Sequence, residues 1–178
     1  MTQPPETLVQ AAAAGDRSAF ERLVASEYDF IFRLAWQWTR NEADAEDIAQ
    51  EVCIRLGRSI SKFKGHGRFR TWLYTLVLNT VRDTARRATR ERRNVMAYSA
   101  EVSNSGEGDH EDGSARLWEA VGQLPDKQKD AVLLVYAEGL THSQASDILG
   151  VAEATISWHL HEARKRLKSI MGSEFAHG

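Results

Sequence analysis

The stretch "GRFRTWLYTLVLNTVRDTARRATRERR", residues 67–93, holds eight Arg and two acids in a chain whose formal net charge is -2. Its start carries three rings, Phe69, Trp72 and Tyr74. Cations alone suffice to hold duplex phosphates. Rings interleaved with cations add stacking on unpaired bases, worth about 1–3 kcal/mol per base. The pattern therefore points to single-stranded or melting nucleic acid rather than plain duplex. The alternative for Trp72 is ordinary core packing at helical spacing. Phe63 and Phe69 flank the Gly-broken segment "KFKGHGRF", where a functional loop fits better.

Two further constellations accompany this one. In "NEADAEDIAQEVCIRL", residues 41–56, five acids precede the first base. Acids in a first turn stabilise a helix N-terminus. Asp47, Gln50 and Glu51 lie deeper, where that effect fades, and an acidic exposed face invites a basic protein partner. Near the C-terminus, "TISWHLHEARKRLK" places Ser157, Trp158, His161, Arg164, Lys165 and Lys168 on one side of an expected helix, away from its apolar stripe. Enzymatic signatures are missing: the sequence has no phosphate-binding P-loop, no G-x-S-x-G and no H-E-x-x-H. Cys53 has no partner at metal-ligand spacing, so neither a metal nor another cofactor is expected, and it reads as a small core residue rather than a redox switch. His159 and His161 are two apart and so point to different helix faces.

The elements that must position these groups are helical. Pro occurs only at 4, 5 and 125, leaving long stretches unbroken. Ser18-x-x-Glu21 has the form of a capping box ahead of a stripe of Phe20, Leu23, Val24, Ile31, Leu34, Ala35 and Trp38. Asn41 is placed to cap a second helix with Ala45, Ile48, Ala49, Val52, Leu56 and Ile60 inward. Thr71 is placed to cap a third, with Trp72, Leu73, Leu76 and Val77 inward. Residues 97–113 are small, polar and acidic, a composition that predicts a flexible linker. Beyond them Leu117, Val121 and Leu124 form a short stripe. Asp126 is a cap for "KQKDAVLLVYAEG", and Gly139 closes that helix. Thr141-x-x-Gln144 is a second capping box. The short helix it opens ends at Gly150, and a longer one follows with Ile156, Leu160, Ala163, Leu167 and Ile170 inward. That is a helix-turn-helix.

The expectation is an all-α chain: a helical domain over 1–96, a linker over 97–113 and a helix-turn-helix domain over 114–173. No apolar run reaches the roughly 20 residues needed to span a bilayer. The N-terminus shows no basic segment leading into an apolar core, and the single Cys fits a reducing compartment, so a cytoplasmic protein is expected.

Taken together, these blocks resemble the extracytoplasmic-function group of bacterial sigma factors. "GDRSAFERLVASEYDFIFRLAW", "NEADAEDIAQEVCIRL" and "FKGHGRFRTWLYTLVLNTVRD" resemble the family's region 2. "LPDKQKDAVLLVYAEGLTHSQASDILGVAEATISWHLHEARKRLK" resembles its region 4. The resemblance implies a subunit that binds core RNA polymerase and directs it to promoter DNA, usually under the control of an anti-sigma factor. It assigns Asp44, Asp47, Gln50 and Glu51 to docking on the polymerase. It assigns Phe63, the loop through Arg68 and Phe69, Tyr74 and Asn79 to capture of a flipped -10 base, with Arg70 and Trp72 beside them. Arg82, Arg86 and the rest of the Arg tail would lie on upstream duplex. Thr155, Ser157, Trp158, His161, Arg164 and Lys165 would read the -35 element. The family's recognition helix usually has Arg or Lys early, whereas here Trp158, His161 and Glu162 stand there. Arg-to-guanine readout in that part is absent. Trp158 then meets a thymine methyl or a sugar, or serves a regulator. Two rival readings remain at this level. An autonomous helix-turn-helix regulator accounts for residues 114–172 but not for the ring-and-Arg loop or the acidic helix. An enzyme acting on a flipped base lacks a nucleophile or metal site.

Overall fold

The computed structural model describes residues 4–63, 65, 68–96 and 112–174, and within these it leaves aside the side chains of 92–96, 112–114 and 173–174. Every regular element among the described residues is helical. They fall into two compact units, Met1–Ser105 and Gly106–Gly178. Most of the stretch expected as a linker, residues 97–111, lies outside the described residues.

The first unit contains α1 (Glu6–Ala13), α2 (Arg17–Thr39), α3 (Glu42–Ser59), a 3-10 turn (Ile60–Lys62) and α4 (Phe69–Met96). Helix α1 has a legible signature that the sequence reading passed over: Pro5 before it, Glu6 in its first turn, and Val9 and Ala12 buried three apart. Its companion α2 starts two residues earlier than expected. Asp16, not Ser18, is the cap, accepting the Ala19 amide at 3.0 Å. Gly15, at φ +97, turns the chain so that the Asp16 carboxylate meets the open helix end. At its other end α2 stops on Arg40 at φ 54, a conformation that costs an L-residue about 1 kcal/mol or more. The Arg40 guanidinium lies 4.0 Å from the centre of the Trp36 ring, a contact that offsets part of that cost. Asn41 caps α3 as expected, accepting the Asp44 amide at 3.0 Å.

The expected stripe of α3 is buried throughout, from Ala45 to Ile60. Helix α4 begins at Phe69, so Thr71 is inside the first turn rather than capping it, and its carbonyl accepts the Thr75 hydroxyl at 3.1 Å. The inward residues of α4 are Phe69, Leu73, Tyr74, Val77 and Leu78, while Trp72 and Leu76 are only half-buried.

The second unit contains α5 (Asp112–Gly122), α6 (Asp126–Val132, continuing as a π-helical turn over Leu133–Ala137), α7 (His142–Leu149) and α8 (Glu153–Glu174). Leu117 is 43% exposed; Ala120 and Val121 make the inner face of α5 instead, and Leu124 is buried just beyond its end. Asp126 does not cap α6. It is the first helical residue, preceded by Pro125 with no side-chain cap bond. The final turn of α6 widens, with the Glu138 amide donating to the Leu133 carbonyl at 2.9 Å, and Gly139 at φ +67 ends it where expected. Both bonds of the Thr141–Gln144 box are formed, at 3.2 Å and 2.9 Å. Gly150 closes α7 at φ +65. Ile156, Leu160 and Ala163 of α8 are buried against α6 and α7.

Candidate nucleic-acid and protein interfaces

Three rings meet where the 3-10 turn hands over to α4. Phe63, Phe69 and Trp72 form a triangle with centroids 5.5–5.9 Å apart. Phe63 and Trp72 are half-buried, while Phe69 is 4% exposed and forms the floor. From Trp72 a single face runs along α4 at intervals of seven, three and four: Trp72, Asn79, Arg82 and Arg86. Asn79 and Arg86 are exposed and Arg82 is half-buried. The Arg82 guanidinium is 3.5 Å from the Asn79 carbonyl oxygen, a long contact that holds the amide only weakly. Rings, an amide and then cations therefore share one stripe, and Arg68 is exposed at its head.

The opposite side of the first turn of α4 faces α2. Tyr74 is 7% exposed and edge-on to Phe30, with centroids 5.0 Å apart. Arg70 stacks over the same Phe30 ring at 4.1 Å. Its Nη2 donates to Glu27 Oε1 at 3.2 Å and lies 3.1 Å from Oε2. Glu27 is 1% exposed, and burial raises its carboxyl above the ordinary carboxylate value, more than the opposing pull of Arg70 lowers it. Phe69 and Tyr74 are thus core rings here, and Arg70 is tied to α2 rather than presented to solvent. The resemblance expects all three at the -10 DNA; in this fold Phe69 and Tyr74 are buried and the Arg70 side chain is 17% exposed. Glu27 was missed in the sequence. A carboxylate at the inner spacing of Leu23, Ile31 and Leu34 was the available signal, since a buried charge requires a partner.

On α3, Asp44, Asp47 and Gln50 are exposed, and exposed Ile54, at 49%, follows Asp47 and Gln50 along the same face. Glu51 is placed differently. It accepts from Arg55 Nε at 2.8 Å, and Arg55 Nη1 donates to Asp83 of α4, also at 2.8 Å. The Arg55 bond is the first cause that holds the Glu51 carboxyl below its usual range. Of the four expected docking residues, three are open and Glu51 belongs to a tie between α3 and α4.

In the second unit Ser157, Trp158, His161, Arg164 and Lys165 are exposed on α8, and Thr155 is half-buried. Trp158 is 56% exposed. The Ser157 hydroxyl lies 3.0 Å from His142 Nδ1, which joins α7 to α8. Arg164 Nη2 donates to the Tyr136 hydroxyl at 2.8 Å, and Tyr136 is itself 60% exposed, a ring that the sequence reading placed merely inside a helix. His159 is buried beneath Trp158, with centroids 5.0 Å apart. Among the described residues, no three His, Cys, Asp or Glu converge on a metal position, and no helix is long and apolar enough to cross a membrane.

Residues 23–91 match the profile of Sigma-70 region 2, and residues 114–167 match that of Sigma-70 region 4. The chain belongs to the sigma-70 family, in its extracytoplasmic-function group. This sigma factor is 32% identical over 168 residues to the ECF RNA polymerase sigma factor SigE of Mycolicibacterium smegmatis, with 89% of the chain aligned and 65% of SigE covered. It is 27% identical to the RNA polymerase sigma-H factor of Pseudomonas aeruginosa, covering 93% of each. Its fold is similar to that of CnrH in complex with the cytosolic domain of CnrY, with a TM-score of 0.68, 23% identity and coverage of 94% of this chain and 96% of CnrH. RpoE in complex with the anti-sigma factor NepR from Bartonella quintana gives the same TM-score at 21% identity, covering 86% and 96%. In this sigma factor the ring triangle, the α4 stripe and the acidic face of α3 all fall within region 2, and the exposed face of α8 falls within region 4.

Proposed function

We propose that this sigma factor binds core RNA polymerase through α3, opens promoter DNA at the ring end of α4 and reads the -35 element with α8. The observation that supports this best is the division of region 2 into two oppositely equipped faces. Asp44, Asp47 and Gln50 form an acidic, amide-bearing face suited to a basic polymerase surface. Trp72, Asn79, Arg82 and Arg86 form a ring, amide and cation face suited to unpaired bases followed by phosphates. Extracting a base costs a few kcal/mol, and a half-exposed ring with a nearby amide, which both donates and accepts, is able to receive one. Phe69 and Tyr74 support this surface from below. Glu51 tunes the docking face from its edge through Arg55. On α8, Trp158, His161 and Arg164 make the forward surface, with Ser157 and Lys165 at its margins.

The protein acts as a dissociable specificity subunit in the cytoplasm, without catalysis of its own, and is held inactive by an anti-sigma factor that covers the α3 face, the α4 stripe or both. RpoE, of the same fold, has been solved with the anti-sigma factor NepR bound, which supports that reading.

Run-off transcription with purified core polymerase and a pool of promoter fragments tests the proposal, comparing wild type with Asn79→Ala and Asp47→Arg. Specific transcripts that either substitution weakens at least several-fold are expected. Duplex binding that needs no polymerase, with no transcript, would instead identify an autonomous helix-turn-helix regulator.

A further inference from the structure

Arg70 and Trp72 are two residues apart in the first turn of α4, so they leave the helix on nearly opposite sides. Trp72 heads the outward stripe, and Arg70 runs back to α2. There it meets two partners, and the second carries the contact on to a third residue. Its Nη2 lies 3.1–3.2 Å from both oxygens of Glu27. Its guanidinium plane covers Phe30 at 4.1 Å. Phe30 in turn takes the edge of Tyr74, one turn along α4 from Arg70. Glu27 is 1% exposed, and the Arg70 side chain is 17% exposed. A carboxylate is expensive to bury, and a planar cation that can both pair and stack is the group that compensates it best.

From this arrangement we infer that Glu27 is a positioning residue for promoter opening: it holds Arg70 against α2 and thereby fixes the first turn of α4 that presents Trp72 to DNA. The inference rests on the sigma reading given above. It assigns Arg70 an inward task in place of a phosphate contact. The two tasks exclude each other, because a guanidinium seated on Glu27 and Phe30 is not on the outward face. Strand separation depends on the placement of Trp72 relative to the triangle formed with Phe63 and Phe69, and displacements of about 1 Å at a reacting or intercalating group cost up to roughly a hundredfold in rate.

Glu27→Gln and Arg70→Lys test this in the complete protein with core polymerase. Glu27→Gln keeps the side-chain shape and removes the charge. Arg70→Lys keeps a cation for any phosphate and removes the planar group that lies over Phe30. Open-complex formation is measured on a duplex promoter and on the same promoter with its -10 region mismatched in advance, and complex formation is followed across salt concentrations. Both variants should open the duplex about tenfold more slowly, recover on the mismatched template, and leave the salt slope at its wild-type value. A folding or docking defect would not recover on the mismatched template, and that result overturns the inference. So does an Arg70→Lys variant that opens duplex like wild type, since that marks Arg70 as a replaceable cation, the behaviour of a phosphate contact. Should Glu27→Gln fail to fold, Arg70→Lys alone decides between a planar group seated on Glu27 and Phe30 and a phosphate cation. Wild type that yields no transcript at all overturns the sigma reading instead, and the two failures are therefore distinct.

Discussion

Replacing Arg55 with Met should destabilise the first unit by about 1–2 kcal/mol, about half of it from the tie between α3 and α4. Two charge-assisted bonds meet on this guanidinium, each 2.8 Å, one to Glu51 within α3 and one to Asp83 on α4. Side-chain exposures of 23% for Arg55, 33% for Glu51 and 42% for Asp83 place the network between a surface pair and a buried one. Solvent screens each pair to about 0.5–1 kcal/mol, and both released carboxylates can rehydrate, so no buried charge is stranded. Met retains most of the apolar stem, which restricts the loss to the charge interactions. For a unit of about 100 residues, 1 kcal/mol corresponds to a Tm shift of about 4–8 °C. Urea unfolding followed through amide signals of α3 and α4 measures this unit separately. A double-mutant cycle with Asp83→Asn isolates the bond between helices. The pH dependence has a definite sign. Arg55 first of all holds the Glu51 carboxyl below its ordinary value of 4.5, so the Glu51 contribution is present above that value and fades as pH falls through the depressed one. A coupling energy below about 0.3 kcal/mol at neutral pH would refute the tie. The functional consequence is equally specific: Arg55→Met frees Glu51 toward the docking face and should not weaken polymerase binding, whereas Asp47→Arg should.

Trp158→Ala should change the stability of the second unit by less than about 1 kcal/mol, because the ring is 56% exposed, yet reduce transcription from promoters that depend on their -35 element about tenfold. Equal transcript yields from such promoters would remove Trp158 from the reading surface. His159 is held neutral: burial lowers its pKa below the ordinary 6.5, Lys127 adds to this, and Asp130 opposes it. Its contribution to stability is therefore complete above 6.5 and is lost as pH falls through the lowered value. Urea midpoints of α8 signals at pH 7.5 and 5.5 should diverge in wild type and draw together in His159→Gln, and an unchanged divergence would exclude His159 as its source.

The sequence by itself determined several helix boundaries and where rings, cations and acids are concentrated. Asn41, the Thr141–Gln144 box, Gly139 and Gly150 were legible because a cap or a closing turn is decided within about four residues. The buried stripe of α3 and the exposed face of α8 followed from helical periodicity alone. Where two caps competed locally, as at Asp16 and Ser18, the backbone at Gly15 decided, and periodicity cannot see a φ angle. The tertiary structure decided which polar groups are available. Arg70 finds Glu27 43 positions away, Arg55 finds Asp83 at 28, and Arg164 finds Tyr136 at 28. A one-dimensional pattern shows that rings and cations are concentrated near residue 70. It does not show that Phe69 and Tyr74 turn inward while Trp72 stays at the surface. That division depends on which face of α4 packs against α2, and a helix face acquires its partner only when the chain folds.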